Sequence, residues 1–98
     1  MSSLIQKLEG LGGGVFLTEQ GVDSRVTEAN LWRAFKEPVV IWVHGESFDD
    51  SCLDLFVEIA SKFPHIRHFR FTSTRVTSNT IARLGVFWPG VPVEGVAT

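Results

Sequence analysis

The chain has 98 residues, of which 44% are hydrophobic, 20% charged and 11% aromatic, with a formal net charge of −2. This composition suits one small globular domain spanning 1–98 and contains no apolar run long enough to cross a membrane. A single cysteine, Cys52, excludes an internal disulfide and any paired-cysteine redox or zinc motif.

The charge is unevenly divided. Residues 1–61 carry ten acids against four bases, and residues 62–98 carry five bases against one acid. That asymmetry can steer an acidic partner toward the C-terminal half. The pI is acidic, about 5.8, so no nucleic-acid partner is expected. Met1-Ser2-Ser3-Leu4-Ile5-Gln6-Lys7 lacks a signal-peptide pattern, and a cytoplasmic location is the expectation.

In chain order, Leu4, Ile5, Leu8 and Leu11 have helical spacing and precede Gly12-Gly13-Gly14. Residues 1–14 are expected to form a cap helix ended by a flexible glycine turn. Val15-Phe16-Leu17 suits a short strand, and Thr18-Glu19-Gln20-Gly21 a turn.

Three segments then share one pattern, beginning at Val26, Phe48 and Val76. Each opens on an apolar residue, followed by Thr27, Asp49 or Thr77, which are helix-capping types. Apolar residues recur at +5 (Leu31, Leu53, Ile81) and +8 (Ala34, Phe56, Leu84), one helical turn apart on an inward face. Strand-like stretches precede two of them, with Ile41 and Val43 matching Phe69 and Phe71 as inward residues. Three helices are expected. The first carries Leu31, Ala34 and Phe35. The second carries Leu53, Phe56, Ile59, Ala60 and Phe63 and ends before Pro64. The third carries Ile81 and Leu84 and closes at Gly85. Trp88-Pro89-Gly90-Val91-Pro92-Val93 suits a final edge strand, where proline is tolerated. Trp32 and Trp88 are expected in capping or core positions.

Ile66 through Val76 fits L-x-x-L-x-L-x-x-T-x-L, with Thr74 at the asparagine-type position. The offsets between segments, 22 and 28 residues, lie in the range of leucine-rich repeats. The chain thus resembles the leucine-rich repeat family in its short bacterial type, over roughly residues 8–93. Pro38 and Glu46 depart from that pattern. The resemblance implies an α/β solenoid of about three degenerate repeats over 15–93, with a tail at 94–98. A parallel sheet would form one face and helices the other.

Residues 26–86 are also similar to thioredoxin, through Pro38-Val39-Val40-Ile41-Trp42 and Phe56-Val57-Glu58-Ile59-Ala60. That fold's Cys-x-x-Cys would fall on Glu46-Ser47-Phe48-Asp49, so this resemblance implies a non-redox accessory or folding-partner domain.

No constellation points to catalysis, and an enzyme is not expected. Cys52 sits at a helix start with no base placed beside it. His65 and His68 straddle a proline turn and a strand, so no metal site is expected. Asp49-Asp50 suits helix-start electrostatics. Gly12-Gly13-Gly14 lacks the lysine of a phosphate loop. No cofactor is implied.

The remaining candidate is a surface. Side chains alternate along a strand, so Val40, Trp42 and His44 share one face with His68, Arg70 and Thr72. Trp42 falls beside Arg70, about 5 Å away strand to strand. Trp and Arg dominate protein-interface energetics. The expected function is non-catalytic binding of another protein through these six residues, an acidic partner being the one the charge asymmetry would steer.

Overall fold

The computed structural model describes residues 4–19 and 22–95. In chain order these are α1 (Leu4–Gly10), β1 (Gly13–Glu19), β2 (Val22–Arg25), a 3-10 helix (Glu28–Phe35), β3 (Val39–His44), a 3-10 turn (Asp50–Cys52), α2 (Leu53–Ala60), β4 (Ile66–Thr72), α3 (Ser78–Phe87) and β5 (Val93–Glu94). The class is α/β. The expected turn at Thr18–Gly21 includes residues 20 and 21, which lie outside the described residues, as do residues 96–98 of the expected tail.

One five-stranded sheet runs in the order β2-β1-β3-β4-β5. β3 is a run of β-branched and aromatic residues, suited to a sheet centre. It pairs parallel with β4, and β4 pairs parallel with β5. An isolated parallel bridge between Asp49 and Arg75 carries this ladder past the strand ends. On its other side β3 pairs antiparallel with β1, which pairs antiparallel with β2. β1 and β2 therefore form an antiparallel hairpin pair, where three uniform repeats would have placed a parallel strand. Gly13 and Gly14, expected in a turn, are the first residues of β1. Gly13 is needed there because a Cβ would meet Leu8 Cγ of α1 at 2.9 Å.

The helices all contribute to one core on one face of the sheet. Ile5 and Leu8 of α1, Ala34, the α2 stripe Leu53, Phe56, Ile59 and Ala60, and Leu84 of α3 pack with Val15, Leu17, Ile41, Val43, Phe69 and Phe71. Edge-to-face contacts link Phe56 to Phe48, Phe69 and Phe71, with ring centroids 5.5–5.8 Å apart. Among the described residues no helix is long and apolar enough to cross a membrane.

The three segments share their anchors. Val26, Phe48 and Val76 are all buried, as are Ala34, Phe56 and Leu84 at +8. The +5 position is graded: Leu53 is buried, Leu31 half-buried, and Ile81 is 41% exposed. The expected burial of Ile81 is thus corrected. α3 ends the helix layer, and no further described helix covers its far flank. α3 also runs through Gly85 to Phe87 rather than closing at the glycine. One helical glycine costs only about 1 kcal/mol, and Pro89 supplies the stop. Trp32, expected in a capping or core role, is 60% exposed with Lys36 Nζ 5.8 Å from its ring. Trp88 is half-buried, edge-on to Phe69 at 5.0 Å.

The caps are local. Thr77 Oγ1 accepts from Asn79 N, Asp49 Oδ1 accepts from Ser51 N, and Asn30 Oδ1 accepts from Thr27 N. Cys52 is half-buried at the start of α2, with Sγ 3.8 Å from Ser47 O. Asp50 does more than favour a helix start. Its carboxylate accepts from Thr80 Oγ1 at 2.7 Å, Thr77 Oγ1 at 2.7 Å and Thr77 N at 3.1 Å, tying the start of α2 to that of α3.

These bonds, that from Thr80 foremost, hold the Asp50 carboxyl below its ordinary value. A lowered carboxylate value stabilises the fold above the unfolded-state range, about 4, and that contribution fades as pH falls through the folded value. Asp50→Asn is expected to melt lower than wild type at pH 7, with the gap closing toward pH 2. Urea or thermal melts across that range check it. A gap constant down to pH 2 would show that the charge is irrelevant.

Candidate functional site

The sheet face turned away from the core presents half-buried Phe16, Trp42, His68, Arg70 and Thr72 and exposed His44. The β3–β4 register pairs Val40 with His68, Trp42 with Arg70, and His44 with Thr72. The six residues expected from the alternation therefore occupy one face. Their exposure is not uniform. Val40 is only 7% exposed, which corrects its place among contact residues. Its registered neighbours, Phe16 on β1 and His68 on β4, flank it, and it serves as floor. The His68 side chain is also largely covered, at 15% exposed.

Trp42 is the hub. Its Nε1–H donates to Thr72 Oγ1 at 2.8 Å, and His44 Nδ1 lies 2.8 Å from the same oxygen. The indole orientation is thus set by a β4 side chain. The Arg70 guanidinium lies over the indole, 5.2 Å from the ring centroid. Stacking of this kind contributes about 0.5–1 kcal/mol at exposed sites.

The hairpin extends this arrangement with residues that the sequence pattern did not single out. Phe16 lies beside Trp42, ring centroids 5.7 Å apart. Arg25, registered opposite Phe16 on β2, places its guanidinium 5.7 Å from the Phe16 ring. Arg25, Phe16, Trp42 and Arg70 thus form one row across β2, β1, β3 and β4. The signal for Phe16 was present in the alternation of Val15-Phe16-Leu17. The pairing of β1 with β3 was not, because it is a long-range choice.

A glutamate flanks each end of the row. Glu9 of α1 approaches Arg25 at 3.7 Å, and Glu94 of β5 approaches Arg70 at 3.4 Å. The same Glu94 oxygen is 3.4 Å from His68 Nε2, without hydrogen-bond geometry. These separations exceed the range of direct charge-assisted hydrogen bonds.

Over Gly12–Gly14 lies an open groove of about 460 Å³, lined also by Glu9, Phe16, Arg25, Trp42 and His44. Gly14 is registered opposite Trp42, and the space a side chain would take there holds the Arg25 guanidinium and the Phe16 ring, each 3.3 Å from a would-be Cβ. Among the described residues, no three His, Cys, Asp or Glu side chains gather as metal ligands. His65 is exposed in the turn before β4.

Comparison with known protein families, with curated proteins and with solved structures finds no match to this chain.

Proposed function

We propose that this chain is a non-catalytic protein-binding module that acts through the open face of its sheet. The observation that carries the reading is the Arg25–Phe16–Trp42–Arg70 row. It places two aromatic–guanidinium pairs on regular strands, with Arg25 exposed and Phe16, Trp42 and Arg70 half-buried. Large, rigid aromatics and arginines of this type dominate interface energetics, and strands hold them without the entropy cost of ordering loops.

The solenoid reading is carried with this proposal, confined to β3–β4–β5. Sequential parallel strands with helices on one side, and the Asp49–Arg75 bridge, support a repeat-like unit for residues 39–94. The antiparallel hairpin then closes the other edge of its sheet. The one-sided helix layer favours this over a thioredoxin-like arrangement, which has helices on both faces.

Trp42→Ala and Arg70→Ala are each expected to weaken partner binding by at least about 1–2 kcal/mol while leaving the melt of the fold nearly unchanged. Glu58→Ala, on the helix side, is the control. Affinity purification from the native cell, followed by titration of the recovered partner, measures the effect. A partner held equally by wild type and both variants would refute the proposal.

A further inference from the structure

The chemistry of the row specifies a partner more closely. A guanidinium stacked on an aromatic ring uses its flat face for the stack. Its in-plane N–H groups remain directed outward, and they match a carboxylate in a two-pronged pair. Arg25 and Arg70 each set the guanidinium carbon over a ring, 5.7 Å from the Phe16 centroid and 5.2 Å from the Trp42 centroid. The carboxylates already near them, Glu9 and Glu94, are 49% and 57% exposed and stand off at 3.7 and 3.4 Å. Exposed pairs this loose are weak and displaceable.

We infer that the face receives an extended peptide with two carboxylates about four residues apart, one for Arg25 and one for Arg70, and an apolar side chain between them for Phe16 and Trp42. This rests on the protein-binding reading above. The spacing follows from the sheet. β2 and β4 are three strand steps apart, about 14 Å, and an extended chain covers that in about four residues at 3.3 Å each. Residues i, i+2 and i+4 of such a chain point to the same side, so acid, apolar and acid would face the row together. A polyanion such as single-stranded nucleic acid suits the face less well. Nucleic acid is held by a continuous positive groove, whereas the two arginines of the row stand apart, each with a glutamate beside it.

A random-peptide display library selected on the wild-type chain, with counterselection on Trp42→Ala, tests this. Enriched peptides are expected to carry Asp or Glu at i and i+4 with an apolar residue at i+2. A blocked Glu-Val-Leu-Val-Glu peptide is then titrated, with shifts of the Trp42 indole and Arg70 Nε–H signals followed by NMR. Its Gln-Val-Leu-Val-Gln counterpart is expected to bind about tenfold more weakly or not at all. Arg25→Gln and Arg70→Gln are each expected to weaken the acidic peptide several-fold, and Glu58→Gln not at all. Enriched peptides without paired acids would overturn this inference and leave the protein-binding reading standing. The absence of any Trp42-dependent peptide would overturn both. An oligothymidylate that displaces the acidic peptide from the row at equal concentration would also overturn the inference.

Discussion

Phe71→Ala is expected to cost about 3–5 kcal/mol, the range for removing a fully buried phenylalanine. Phe71 is 0% exposed on the helix-facing side of β4. Its ring touches Phe48 at 5.7 Å and Phe56 at 5.7 Å, so it joins the β3–α2 connection to α2. Removing it strips one wall from both rings at once. The cavity cannot close easily, because β4 is held between β3 and β5. A domain of this size has a total stability of about 5–15 kcal/mol, so the variant should be close to unfolding at 37 °C. Phe71→Leu, which keeps much of the volume, is expected to lose considerably less. Chemical denaturation of the two variants checks the order. A Phe71→Ala midpoint near that of wild type would mean that the β3–β4 register is wrong.

Gly12→Ala has the second large expected effect, for backbone rather than packing reasons. Gly12 has φ +84°, in the left-handed region that other L-residues adopt at a cost of about 1–2 kcal/mol. A Cβ there would lie 2.5 Å from the carbonyl oxygen of His44, a backbone atom that cannot swing aside. Gly12 O also accepts the His44 N–H at 2.8 Å, joining the α1–β1 connection to the end of β3. The combined loss is expected to reach at least about 2 kcal/mol, with the His44 end of the binding face displaced. Gly10→Ala is the matched control. No atom outside its own helix and chain neighbours lies within 4 Å of its would-be Cβ. An exchange there is expected to be neutral or slightly stabilising, through lower unfolded-chain entropy. Equal melts for the two variants would show that the turn is not constrained.

What the chain determines locally is legible in the sequence alone. The anchors Val26, Phe48 and Val76, their partners at +8, and the capping residues Asp49 and Thr77 follow from helical period and cap chemistry. Both act over a few residues. The two-residue period of β3 and β4 likewise set Ile41, Val43, Phe69 and Phe71 inward and Trp42 and Arg70 outward on neighbouring strands. Three features were not legible. The direction and placement of the hairpin at β3's free edge depend on which strands meet across long separations, and no short pattern encodes that. The exposure of Ile81 and the covering of Val40 depend on whether a neighbour happens to lie alongside, so identical spacing gave different burial. The guanidinium–aromatic row is also a tertiary product. Arg25, Phe16, Trp42 and Arg70 are dispersed over 55 positions of sequence. They become neighbours only because sheet pairing stacks four strands in an order unlike their order in the chain.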